Sequence, residues 1–129
     1  MQKVVLFTLA LMSTTTHATI NSHPAVSTDD AINVNDASDF ERAKGSEQLR
    51  YYLYGAYSAL GMVNAERAVN GGKKLYCQPA KLSEADVDIV SLVERQLPLS
   101  KENYKGGIKG LPIEFVLLDA LQGNFPCDK

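Results

Sequence analysis

The chain has no tryptophan, and among its 129 residues histidine and cysteine each occur only twice. Each scarcity removes a class of chemistry. Both histidines, His17 and His23, fall near the N-terminus, so the body of the chain has no imidazole for a zinc site or for activating a serine or thiol nucleophile. A basic cluster is also missing: 13 lysines and arginines face 15 acidic residues, for a net charge of −2. Without clustered cations to displace phosphate counterions, nucleic acid is excluded as the expected partner. No apolar run approaches the roughly 18 residues needed to cross a bilayer as a helix. The remaining composition, 45% hydrophobic and 22% charged, is that of one globular domain.

The first residues read as an export signal. Lys3 supplies a positive start, Val4 to Met12 a short apolar stretch, and Thr16-His17-Ala18 a small-residue cleavage site. We therefore expect a signal peptide over 1–18, a mobile polar leader over 19–35, and a single domain over 36–129. No cysteine follows the apolar stretch, so a lipid anchor is not expected. In an oxidising compartment an even pair of cysteines reads as a disulfide, so Cys77 and Cys127 are expected to be bonded.

Helical signals dominate the domain, and an all-α fold of three long helices and one short one is predicted. Asp36 to Asp39 can cap a short helix over 40–44 that ends at Gly45. Ser46 can cap a long helix that stops at Asn70-Gly71-Gly72. Leu49, Tyr52, Leu53, Ala56, Leu60 and Val63 give that helix a core stripe, and Ala59 is expected inside with it. From Tyr51 to Ala65 it carries no charge. A helix apolar or small all round is normally buried all round, which leaves two readings: a central core helix, or one whose back face, with Tyr51, Tyr54, Ser58, Met62 and Ala65, meets a second copy of the chain. Its interior glycines, Gly55 and Gly61, suggest a close approach there. Ser83-Glu84-Ala85-Asp86 reads as a capping box opening a third helix with Val87, Val90, Val93 and Leu97 inward and Pro98 as its end. The last helix begins at Pro112 and ends at Gly123, with Ile113, Val116, Leu117, Ala120 and Leu121 inward.

Between Pro98 and Pro112 lies a glycine-containing connection, 99–111. It is either a plain surface loop or a recognition loop, and we favour recognition, because Tyr104, Lys105, Gly106, Gly107 and Lys109 combine a pocket-filling ring, charge and a backbone free to come close. The loop does not fit the phosphate-binding pattern G-x-x-x-x-G-K-[ST]. The carboxylates, Glu114 and Asp119 among them, are too evenly scattered to nominate an acid–base pair. The expectation is a binding protein rather than an enzyme, with no cofactor and no metal.

Tyr54-Gly55 in a small-residue helix, Tyr76-Cys77-Gln78-Pro79, a capped helix from Ser83, and Ala120-Leu121 leading to Phe125-Pro126-Cys127 together resemble the Rap/Tai family of type VI secretion immunity proteins. The resemblance covers about 48–127. It implies a periplasmic, all-helical, disulfide-stapled homodimer that binds a cognate papain-like peptidoglycan amidase, an effector of interbacterial competition, and blocks its active-site cleft. Cys77 and Cys127 carry over as the family's disulfide cysteines. Further upstream cysteines found in some members are absent here. The glycine-containing loop aligns with no family motif, so its inhibitory role comes from the residues themselves. A periplasmic stress chaperone or an envelope adaptor of similar small helical fold is the alternative expectation.

Overall fold

A computed structural model describes residues 32–127; the expected signal peptide and the leader up to residue 31 lie outside them. Among the described residues the fold is all-α, with four helices and no strand. They are α1 (Phe40–Ala43), α2 (Glu47–Val69), α3 (Ile89–Asn103) and α4 (Ile113–Asn124). α3 and α4 pack most extensively on each other, and α2 lies against the pair. The core is one cluster: Leu49, Leu53 and Tyr57 of α2, Ile89, Val93 and Leu97 of α3, and the inner face of α4, closed at one end by Phe40 and Ala43.

Local chemistry explains most helix boundaries. The Ser46 hydroxyl accepts the Leu49 amide and opens α2. At the other end Gly71, at φ 72°, turns the chain away in a conformation that costs other residues more. α4 buries Ile113, Val116, Leu117, Ala120 and Leu121, the five residues that its periodicity places inward. The disulfide joins Cys77 to Cys127 across a separation of 50 residues, with Cα atoms 4.9 Å apart. Beside it the Cys77 amide donates to the Phe125 carbonyl at 2.7 Å, so the connection after α2 is tied to the end of α4 twice.

The third helix differs from its expected form at both ends. Ser83 does use Asp86 as its partner, but the product is a single 3-10 turn, Glu84–Asp86. The α-helix starts five residues later, where the Asp88 carboxylate accepts from the backbone and hydroxyl of Ser91. Val87 and Leu92 flank that cap, both buried, in the positions of a hydrophobic staple. Its inner face is accordingly Ile89, Leu92, Val93, Leu97 and Ser100. Val90, expected inside, is only half-buried. Pro98 does not end the helix, which continues for a further turn. The Pro98 ring is on the exposed side, while Leu97 and Ser100, on either side of it, are buried, so packing outweighs the missing hydrogen bond.

Two more expectations shift. In α2 the buried set is Leu49, Leu53, Tyr57 and Asn64; Tyr52, Ala56 and Leu60 are half-buried, Ala59 is exposed and Val63 is 41% exposed. The core-facing side is thus rotated away from Val63 toward Tyr57 and Asn64. The last residues of the expected leader belong to the domain: the Asn33 amide donates to Asp39, and the Asn35 carbonyl accepts the Ile113 amide at 2.9 Å.

Candidate functional site

Because α3 runs on to Asn103, the connection to α4 shortens to residues 104–111. Both of its ends are pinned by side chains. At the start, the Tyr104 hydroxyl donates to Asp119 of α4 at 3.1 Å. Burial, then this carboxylate, pushes the phenol's pKa above its ordinary value. At the far end, the Asp36 carboxylate accepts the Gly110 amide at 3.0 Å as well as the amide and hydroxyl of Ser38, and the Ala37 amide donates to the Leu111 carbonyl at 2.9 Å. Burial works to raise the Asp36 pKa, but the hydrogen bonds from Ser38 and Gly110 outweigh it and hold the carboxyl below its usual range. Between the pins, Lys105, Gly106 and Lys109 are exposed and Gly107 is half-buried. Gly107 and Gly110 take positive φ, 68° and 73°, so the turn itself demands glycine. A Cβ added at Gly106 or Gly107 would meet nothing within 4 Å.

The structure therefore brings Lys105, Gly106, Gly107 and Lys109 together on one exposed tip, with Tyr104 turned inward as its support. Asp36 and Asp119, which hold that support, were not distinguished in the sequence from other solvated carboxylates. The N-cap pattern marked Asp36 only as a helix start.

The second candidate surface runs along α2. The residues expected at an interface are open to solvent: Tyr51 is 65% and Met62 73% exposed, and Tyr54, Ser58 and Ala65 are also exposed. The Arg50 guanidinium stands 5.7 Å over the Tyr51 ring. On the flank nearer α4 lies an open, largely apolar groove of about 600 Å³, lined by Tyr51, Tyr52, Gly55, Ala59, Val63 and Glu114 among others. At its edge the Tyr52 hydroxyl donates to one Glu114 oxygen; burial, then this carboxylate, pushes the phenol's pKa up to about 12. The other Glu114 oxygen is buried and has no hydrogen-bond partner. Phe115, the next residue of α4, is 51% exposed.

A third depression, beside the disulfide, is polar and internally satisfied. Asn64, buried on α2, donates to the Tyr76 carbonyl at 2.8 Å and accepts the Leu75 amide at 2.7 Å. Tyr57 donates to Gln78 in the same place. This network fastens the segment before Cys77 to α2, a structural task that its polar residues fully explain. Among the described residues no group of histidine, cysteine, aspartate and glutamate side chains is arranged to hold a metal ion, and no helix is long and apolar enough to cross a membrane. No protein-family model, characterised protein or solved structure matches this chain.

Proposed function

We propose that the chain is an exported immunity protein that binds a papain-like peptidoglycan amidase in the periplasm and blocks its cleft, acting as a homodimer. The observation that carries this reading is the loop 104–111: its ends are pinned by Asp119 and Asp36 while its glycine tip is open. Such a loop enters a concave partner without first losing conformational entropy, which is where preorganised inhibitors gain affinity. The backbone at Gly106 and Gly107 can come close to cleft walls because no Cβ intervenes. Lys105 and Lys109 supply charge, and neither is in an ion pair among the described residues. Tyr104 acts on this account as the strut that sets the loop's position rather than as the plug. The exposed apolar residues of α2 support the dimer, since continuous surface of that kind on a domain whose core is already closed marks a contact region.

The test is capture of a periplasmic amidase by the tagged chain, followed by titration of the purified pair. The double charge reversal Lys105→Glu with Lys109→Glu should weaken binding about thirtyfold or more while circular dichroism stays unchanged. Undiminished affinity and undiminished inhibition in that variant would remove the loop from the interface. If no amidase is captured, and the chain instead binds a hydrophobic dye on acidification, the stress-chaperone reading replaces this one.

A further inference from the structure

We infer that the groove between α2 and α4 is the self-association surface, with the α2 helices of two copies crossing antiparallel about Ala59 and Arg67 of each copy reaching Glu114 of the other. The inference rests on the proposed homodimer and specifies the face that forms it. Three features of the groove support it.

The first is shape. Gly55 and Ala59 lie one turn apart on the exposed side of α2, and a Cβ added at Gly55 would meet nothing within 4 Å. Nothing inside the domain fills the space that the glycine leaves, although glycine in a helix interior costs about 1 kcal/mol relative to alanine. A second helix is the natural occupant, because two small residues permit an interaxial approach of about 8 Å.

The second is symmetry. An antiparallel pair centred on Ala59 sets Gly55 opposite Val63 and Tyr51 opposite Arg67. The groove is thus self-complementary: the small end receives the branched residue, and the aromatic end receives a guanidinium that can lie over its ring.

The third is charge. Glu114 keeps one oxygen buried and unpartnered while the other takes the Tyr52 hydroxyl. A carboxylate so placed needs a donor. Tyr52 and Arg67 are about 60° apart around α2, on the same flank, and a twofold axis across the helices keeps equal flanks together. Arg67 of one copy therefore approaches the Tyr52–Glu114 pair of the other. Arg67 is exposed and uses one of its donors on the Lys73 carbonyl at 3.2 Å, leaving others free for a carboxylate. The neighbouring Glu66, which would repel Glu114, is engaged by the Asn70 side chain.

The alternative face, Tyr54, Ser58 and Ala65, lies on the opposite flank of the same helix, and this separates the two possibilities cleanly. Sedimentation equilibrium of the exported, disulfide-bonded chain should report a dimer at micromolar concentration. Ala59→Arg, and independently Val63→Glu, should raise the dissociation constant about thirtyfold or more without changing helicity, since both sites are exposed in the single chain. Ser58→Arg should leave it within about threefold, and Arg67→Ala should weaken it about fivefold or more. A wild-type monomer at about 100 μM, a dimer that survives both groove variants, or one broken by Ser58→Arg alone would overturn the assignment. An unaffected Arg67→Ala dimer would overturn the antiparallel register. Amidase capture by the monomeric groove variant reads out separately, so loss of this interface and failure of the immunity reading give different results.

Discussion

Replacing both Cys77 and Cys127 with alanine tests what the disulfide contributes, and the structure allows its size to be estimated. A cross-link spanning 50 residues removes roughly 4 kcal/mol of loop-closure entropy from the unfolded chain at 25 °C. Both cysteines are only half-buried, so truncation to alanine adds little cavity cost, and the measured loss should be close to the cross-link term. The native state keeps two non-covalent ties across the same junction, the Cys77–Phe125 backbone hydrogen bond and the Asn64 hold on Tyr76, so the variant should retain the fold. Urea unfolding followed by circular dichroism should show a midpoint lowered by roughly 2–4 M, for an m-value of about 1–2 kcal/mol/M. The m-value should also rise, because an unfolded chain without the cross-link exposes more surface. A loss under about 1 kcal/mol would refute the reasoning and mean that the ties around Asn64 and Phe125 already restrict the unfolded state.

Pro98→Ala should stabilise the domain by about 2 kcal/mol: an N–H to the Glu94 carbonyl is gained and the interior proline penalty of about 3 kcal/mol is lifted, less the added freedom of the unfolded chain. Thermal unfolding checks it, and a lower melting temperature would show that the ring packs usefully where it is. Asn64→Ala removes the partners of the Tyr76 carbonyl and the Leu75 amide and should cost about 2–3 kcal/mol; denaturant unfolding with the disulfide intact measures it, and a cost below about 1 kcal/mol would mean that water replaces the amide there. The Asp36 pKa is lower in the folded than in the unfolded chain, so its hold on Gly110 is fully present above the ordinary value of 3.8 and is lost as pH falls through the folded value. Hydrogen exchange at the Gly110 amide, corrected for intrinsic rate, should stay protected at pH 5 and lose that protection in strong acid. In Asp36→Ala it should be unprotected throughout, and retained protection would place the loop's anchor elsewhere.

What the sequence determined by itself is whatever short-range chemistry suffices to set. Ser46 and the Asn70-Gly71-Gly72 stop bound α2 because capping and left-handed turns involve neighbours only. The inner face of α4 was legible because its branched residues recur on one side of the helix. The cysteine pair was legible because there were only two to join.

Tertiary structure decided the rest. Between Tyr51 and Ala65 no charge marks the outer side of α2, so its periodicity had no phase; packing on α3 and α4 turned Tyr57 and Asn64 inward and left Ala59 and Val63 in the groove. At α3, Ser83 and Asp88 each head a plausible cap, and the choice between them fell to the burial of Val87, Ile89 and Leu92. The same burial, continued at Leu97 and Ser100, carried the helix past Pro98 against its local preference. The candidate loop followed from that extension: with one more turn of α3, Tyr104 lands beside Asp119, while the strap before α1 brings Asp36 to Gly110 from 74 residues away. Partners so distant leave no spacing for a sequence to display, and only the folded chain brings them together.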